Sequence, residues 1–276
     1  EDGAKTIKLT ACNQSVCGTA SENLTVLSTK SQTNPPAAST PAPTPTPTPP
    51  PTPSPARTQT PTQTPTPAPT QTPGPTPTPV PGKAILDLPG CTDNALERGD
   101  DSNFSEAVAL GFSINFFGTT FSTVYVNNNG NATFSSGLDQ FTPQPIGGTG
   151  FPIIAPFWAD VDTSDQSSQV VTYGKTTYAG RNAFCVNWVN VGHYGTDTGK
   201  LNIFQLLLVD RSDIGQGDFD FIMNYDKVQW EEGDFSGGEG GLSNLDDPHS
   251  ARAGYSNGSD VSFELPGSAV PRAFLD

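Results

Sequence analysis

Residues 152–174, PIIAPFWADVDTSDQSSQVVTYG, place an apolar run directly before three carboxylates, Asp160, Asp162 and Asp165. Side chains two residues apart in an extended segment point to the same face, so Asp160 and Asp162 share one side of the chain. Calcium takes several carboxylate and carbonyl oxygens, which a D-x-D-x-x-D loop begins to supply. Asp side chains also cap turns by accepting hydrogen bonds from backbone N–H groups. The stretch therefore predicts either a calcium site or a structural turn.

The chain from residue 83 onward has the pattern of an all-β domain. Short segments rich in Val, Ile, Phe, Tyr and Trp alternate with clusters of Gly, Asn and Asp. No long window has a helical period. NNNG at 127–130 predicts a tight hairpin turn, because Asn and Gly tolerate positive φ. Residues 83–276 are therefore predicted to form one sandwich-like β domain.

A Pro/Thr-rich segment, residues 34–82, precedes this domain. It holds most of the 28 Pro residues, and it has no aromatic residue and a single charge. Pro fixes φ, so the segment is predicted to form a polyproline II linker that spans on the order of 150 Å, at about 3.1 Å per residue. Tracts rich in Thr and Pro are typical of O-glycosylated stalks, and an unmodified spacer is the alternative. The candidate O-glycosylation sites are Thr44, Thr46, Thr48, Thr76 and Thr78.

The first 33 residues contain two strand-like patterns with a turn between them. Apolar Ile7 and Leu9 alternate with polar neighbours in the first, and the second repeats this alternation. The segment resembles the last two strands of an immunoglobulin- or fibronectin-type-III-like domain. A lone hairpin is only marginally stable in water, so it requires more of its own sandwich or strand addition to a neighbouring subunit.

The four Cys residues fall in two groups, Cys12 with Cys17 and Cys91 with Cys185. Four Cys allow three pairings, and we favour 12–17 and 91–185 because each of these pairs stays within one module. An even number of Cys beside a Pro/Thr-rich stalk indicates an oxidising, extracellular compartment.

The formal net charge of −15 excludes one class of partner. Most of this charge lies after residue 83, and such a domain repels phosphate backbones, so nucleic-acid binding is not expected. No apolar run in the sequence approaches the length of a bilayer span, so no membrane span is expected in this fragment.

Aromatic residues near acidic ones offer a candidate sugar-binding face, formed by Trp230, Tyr225 and Tyr194. Such a face requires the three rings to converge, which their spacing in the sequence does not establish.

The sequence supports a catalytic function less than it supports sugar binding. The acids Asp226, Glu231, Glu232 and Asp234 offer carboxylates of the kind that glycosidases use, but they equally form a solvated acidic face. The two His residues lie in no nucleophile or metal motif, and no G-x-S-x-G accompanies them. We therefore expect no enzyme activity.

Five motifs, in order, resemble the nidogen-like (NIDO) family. They are FFGTTFSTVYVNNNGNATF (116–134), FPIIAPFWADVDT (151–163), KLNIFQLLLVD (200–210), DFDFIMNYDKVQWEEGD (218–234) and ARAGYSNG (251–258). The resemblance covers nearly all of residues 85–276. It implies an all-β extracellular domain with a role in adhesion or matrix architecture and no known catalytic reaction. The Pro/Thr-rich linker and the upstream sandwich fragment fit a bacterial cell-surface protein better than an animal matrix protein.

Together these features predict a non-enzymatic, secreted or cell-surface protein in three parts: residues 1–33, the linker 34–82 and the head 83–276. Its expected partners are copies of itself in a filament or other extracellular assembly, or a matrix or cell-surface molecule. The alternative is a carbohydrate-binding module that recognises a glycan. Calcium is the one candidate cofactor.

Overall fold

The computed structural model describes residues 84–101, 104–195, 199–246 and 248–276, and the backbone of residues 4–13 and 16–25. These ranges contain β-strands and two short 3₁₀ helices, Ile146–Gly148 and Asp234–Ser236. The strands are β1 (Ala4–Asn13), β2 (Val16–Thr25), β3 (Asn94–Ala95), β4 (Val108–Phe116), β5 (Thr119–Asn127), β6 (Asn131–Thr133), β7 (Pro152–Trp158), β8 (Val161–Asp162), β9 (Thr172–Tyr178), β10 (Arg181–His193), β11 (Asn202–Asp210), β12 (Phe219–Lys227), β13 (Arg252–Asn257) and β14 (Ser262–Glu264).

The strands form two sheets, which confirms the predicted all-β sandwich. The larger sheet has the order β2-β1-β12-β11-β10-β9-β3, with β8 paired to β10. The smaller sheet has the order β14-β13-β7-β6-β5-β4. In the described ranges, no helix is long and apolar enough to cross a bilayer.

Aromatic side chains from both sheets fill the space between them. Phe157 on β7 lies 5.3 Å, centroid to centroid, from Phe204 on β11. The ring of Phe204 also stacks on Trp188 of β10, at 5.0 Å and 12°. Large aromatic side chains contribute much of the apolar area that a core buries, so this contact joins the two sheets energetically as well as spatially.

Strand β10 is buried on both of its faces. Phe184 and Val186 point into the core between the sheets, whereas Ala183 and Cys185 belong to a second apolar cluster on the outer face. The segment that begins at Ala84 covers that outer face and is joined to it by the disulfide Cys91–Cys185, whose Cα atoms lie 5.5 Å apart. This disulfide confirms one of the two predicted pairings.

The smaller sheet is covered in the same way. Ile153, Ala155 and Trp158 form a third apolar cluster with residues of the loop before β7. The indole Nε1 of Trp158 donates to the carbonyl oxygen of Gln140 in that loop, at 2.9 Å. Because loops cover both outer faces, strands β7 and β10 are buried almost throughout, like the strands of a sheet that is covered on both sides.

The N-terminal hairpin that the sequence predicts is present and extends the larger sheet. Strands β1 and β2 pair antiparallel with Cys12 opposite Cys17, and β1 runs parallel to β12 with Ile7 aligned to Phe221. The Cys12–Cys17 disulfide involves side chains outside the described residues, so it stays a prediction. The linker and its candidate O-glycosylation sites also lie outside them, and the immunoglobulin- or fibronectin-like origin of the hairpin stays a prediction.

Candidate metal centre

Three carboxylates from two distant segments meet where β7 ends. Asp100 and Asp101 lie in the loop between β3 and β4, and Asp160 lies between β7 and β8. One carboxylate oxygen of each residue lies within 4.8 Å of those of the other two. Several carboxylate oxygens at this spacing are the ligand type that hard divalent cations prefer. We call these three residues the Asp cluster.

Asp160 is the most buried member of the Asp cluster, with 2% of its surface exposed. Its main-chain oxygen accepts a hydrogen bond from the Tyr194 N–H at 3.1 Å, which fixes the backbone. Its Oδ2 is buried and accepts no hydrogen bond from the described residues. Gly233 packs directly against this carboxylate, because a Cβ added at Gly233 would overlap Asp160 Oδ2. The site therefore excludes water from one side of Asp160 without offering it a donor.

The predicted NNNG turn forms the wall behind the cluster. Asn127 pairs with Asn131 across a hairpin turn, and Gly130 has the positive φ, +72°, that this turn requires. The turn is completely buried rather than solvated, although it consists of polar residues. Its side chains therefore have to find partners inside the protein.

Those partners hold the Asp cluster in place. Asn128 Nδ2 donates to the Val161 carbonyl at 2.5 Å, and Asn129 Oδ1 accepts from the Val161 N–H at 2.9 Å. Asn129 Nδ2 donates to Asp101 Oδ1 at 3.2 Å. The NNNG turn thus fixes both the backbone beside Asp160 and the side chain of Asp101.

Burial and repulsion raise the pKa of all three carboxyl groups. Burial is the first cause for Asp160, whose pKa rises to about 8, and for Asp100, whose pKa rises to about 7. It is also the first cause for Asp101, whose pKa rises. The charges of Asp162 and Asp234 add to the shift at Asp160. Every neighbouring charge that shifts these three pKa values belongs to another Asp residue. No positive charge among the described residues therefore balances the cluster.

Arg98 lies close in sequence but is engaged elsewhere. Its Nη1 donates to three main-chain oxygens, of Thr163, Asp165 and Ser168, at 2.9, 2.6 and 2.8 Å. These bonds fix the loop after β8, and the guanidinium serves this loop instead of neutralising the carboxylates.

The structure brings only Asp160 of the three predicted ligands into the Asp cluster. Asp162 Oδ1 accepts from the Ser164 N–H at 2.7 Å. Asp165 Oδ1 accepts from the backbone N–H and the hydroxyl of Ser167, which lower the pKa of Asp165. Both side chains therefore cap turns, which was the alternative reading of the motif. The sequence prediction missed Asp100 and Asp101, for which the adjacent acids after Gly99 were the available signal.

The predicted sugar-binding residues do not form one face. Trp230 is fully buried, and its Nε1 donates to the Val191 carbonyl at 3.0 Å. Tyr225 is partly buried with its hydroxyl bonded to the Pro156 carbonyl at 2.6 Å. Of the three, Tyr194 is the one that is exposed, at 40%. Trp230 is thus a core residue, since an indole bound at both its ring and its N–H has no free face.

Tyr194 has an exposed aromatic neighbour, Phe235, that the sequence did not reveal. Phe235, 74% exposed, lies with its ring 6.1 Å from Tyr194 and 5.8 Å from Phe141. The backbone also joins this group to the Asp cluster, because the Tyr194 N–H donates to the main-chain oxygen of Asp160 at 3.1 Å.

The acids considered for hydrolysis have structural partners. Glu231 accepts hydrogen bonds from the backbone N–H groups of Ser243 and Arg272, at 3.3 and 2.6 Å. Glu232 accepts from the His249 N–H at 3.0 Å. Both Glu side chains are buried and hold the loop between β12 and β13 together, and Glu231 also holds the segment after β14.

Comparison with known proteins identifies the family. The family model described as "Nidogen-like domain" matches residues 122–274. Alpha-tectorin from Mus musculus is 35% identical over 204 residues, which cover 65% of this chain and 9% of the relative. Nidogen from Drosophila melanogaster is 29% identical over 171 residues, 51% of this chain and 12% of the relative.

Nidogen-2 from Mus musculus is 32% identical over 155 residues, 44% of this chain and 11% of the relative. The chain thus spans about a tenth of the length of these curated relatives. No solved structure matches it. Alpha-tectorin and nidogen are extracellular matrix proteins. With a family model that covers more than half of its residues, the chain belongs to the nidogen-like domain family.

Proposed function

We propose that this chain is a non-enzymatic structural or adhesion component of an extracellular assembly, in which a Pro/Thr-rich stalk carries a nidogen-like head. The observation that carries this proposal is the match of the head to the nidogen-like family and to two extracellular matrix proteins. The Cys91–Cys185 disulfide supports it further, since such bonds persist in oxidising compartments. The bacterial source that the linker and the upstream hairpin suggested stays a prediction, and the relatives named above are animal proteins.

Self-association is the proposed means of assembly, with β12 as the receiving strand. Strand β1 adds to β12 in parallel and occupies the side of the larger sheet that β12 would otherwise leave open. An open strand edge is a template for pairing with another chain. The same pairing made by the β1 of a neighbouring chain would link subunits by strand addition.

Light scattering coupled to size-exclusion chromatography tests this step on the complete chain. We expect the mean mass to rise with concentration in the wild type. We expect Leu9→Pro to abolish that rise, because Leu9 aligns with Met223 in the β1–β12 ladder and Pro removes a backbone donor. Leu9→Val is the control and keeps the association. A wild-type mass that stays monomeric up to several hundred micromolar would remove self-association from the proposal.

A carbohydrate-binding module is the second candidate, favoured by the exposed rings of Tyr194 and Phe235. Exposed aromatic rings provide flat apolar surfaces on which sugars stack. Affinity electrophoresis in gels that contain soluble polysaccharides tests it. Retardation that Phe235→Ala abolishes would support this function, with Leu245→Ala as a control at a similarly exposed apolar residue. Equal mobility of all variants with and without polysaccharide would exclude this face as the binding site for the sugars tested.

A further inference from the structure

We propose that Asp100, Asp101 and Asp160 bind one calcium ion, which joins the loop between β3 and β4 to the corner between β7 and β8. This assignment differs from the D-x-D-x-x-D loop, because two of its three ligands come from a segment far away in the sequence. It does not rest on the proposed function.

The first argument concerns charge. Three carboxylates within 4.8 Å of one another repel, and burial weakens the screening that water would provide. Arg98 is engaged with main-chain oxygens, so it does not offset this repulsion. A divalent cation bound between the carboxylates converts the repulsion into attraction, and it explains why the fold gathers three acids in a partly buried place.

The second argument concerns unfilled hydrogen-bonding capacity. Asp160 is 98% buried by surface area, yet its Oδ2 accepts no hydrogen bond from the described residues. Asp100 Oδ1 is also buried and accepts no hydrogen bond from the described residues. Nearly all buried polar atoms in proteins have a partner, and an orphaned carboxylate oxygen carries a large desolvation penalty. Two such oxygens in one cluster therefore point to a ligand that both of them contact.

The third argument concerns the type of ion. The cluster supplies carboxylate oxygens and includes no Cys or His, so it lacks the sulfur and nitrogen ligands that zinc prefers. Calcium binds oxygens at about 2.3–2.6 Å, so two oxygens on opposite sides of it lie at most about 5 Å apart. The observed spacing is within this limit. Calcium also tolerates irregular geometry, whereas magnesium requires a near-ideal octahedron.

A calcium ion at this position would connect the two sheets. Asp160 follows β7 of the smaller sheet, and β8, which begins one residue later, pairs with β10 of the larger sheet. The loop that carries Asp100 and Asp101 follows the segment that Cys91 ties to β10. An ion between these ligands would therefore hold the covering segment, the smaller sheet and the larger sheet together.

Thermal unfolding of the complete, chelator-treated chain, followed by Trp fluorescence, tests the proposal with calcium chloride alone as the probe. We expect 10 mM calcium to raise the Tm by on the order of 5 °C. Asp160→Asn should abolish this rise, because it removes a ligand charge while keeping the size of the side chain. Asp165→Asn is the matched control, since Asp165 caps an exposed turn, and it should keep the full rise.

Isothermal titration gives a second readout, with one ion bound per chain expected for the wild type and Asp165→Asn. If Asp160→Asn fails to fold, Asp101→Asn replaces it in both experiments and is expected to weaken binding at least tenfold. Three results would overturn the proposal: no Tm shift and no heat with calcium, an equal response of the Asp160 and Asp165 variants, or an equal shift with magnesium at the same concentration.

Discussion

The indole Nε1 of Trp188 donates a hydrogen bond to the main-chain oxygen of Asn128 at 2.9 Å, and both residues are fully buried. Trp188 lies on β10 of the larger sheet, and Asn128 lies in the turn between β5 and β6 of the smaller one. This bond therefore joins the two sheets at the NNNG turn, residues 127–130, whose side chains hold the Asp cluster in place. The same buried carbonyl also accepts from the Gly130 N–H at 2.7 Å.

Trp188→Phe should destabilise the domain by about 1–3 kcal/mol. The substitution keeps an aromatic ring against Phe204 but removes one of the two donors to the buried Asn128 carbonyl, which keeps only the Gly130 N–H. Urea unfolding measures the change in the free energy of unfolding. Tyr194→Phe, at an exposed ring, serves as the control and should stay within about 0.5 kcal/mol of the wild type. A Trp188→Phe variant as stable as this control would contradict the role of the bond.

Gly130→Ala should cost clearly more than Gly118→Ala, although both glycines have positive φ, +72° and +92°. An added Cβ at Gly130 would overlap the Phe157 carbonyl, whereas at Gly118 it meets no atom within 4 Å. The Gly118 variant therefore reports the backbone strain alone, about 1–2 kcal/mol. Urea unfolding measures the loss of unfolding free energy in each variant. The difference between the two losses reports the close contact between the NNNG turn and β7. Equal losses would mean that the turn has room to move away.

Loss of the Cys91–Cys185 disulfide should lower the free energy of unfolding by about 2–5 kcal/mol. The bond closes a loop with a sequence separation of 94, and long closed loops restrict the unfolded chain most. Comparing Cys91→Ala/Cys185→Ala with the wild type in urea, both in the Cys12→Ser/Cys17→Ser background, measures this bond alone. If reduction of that background protein leaves its unfolding midpoint unchanged, the disulfide has no stabilising role.

The metal-free protein should lose stability as the pH rises between about 4 and 8. The pKa of Asp160 is raised in the folded state from 3.8 to about 8, so the fold binds a proton that the unfolded chain has released. The contribution of this group is fully present below the unfolded pKa and is lost as the pH rises through the folded one. Thermal unfolding in chelator at pH 5.5 and 8 should show a smaller decline in Asp160→Asn than in the wild type. Identical pH profiles would contradict the raised pKa.

The framework of this domain is predictable from the sequence, and the Asp cluster is not. The strand before Asp160 and the hairpin at NNNG follow from local apolar patterning and turn chemistry, and both are present. Asp100 and Asp160 share a cluster only because the covering segment folds back across the sheets, which no local spacing encodes. Trp230 was a candidate for a sugar-binding face, but its ring completes the core because packing outweighs the polarity of its sequence neighbours.

Peptide mapping of protein collected outside the producing cells, alkylated without prior reduction, tests most directly that this is a disulfide-closed extracellular domain. The account predicts that the extracellular fraction contains the peptide pair joined through Cys91 and Cys185, with neither residue alkylated. The same digest shows whether sugar mass is attached between residues 34 and 82. Alkylated Cys91 and Cys185 in a chain found only inside the cells would contradict the account.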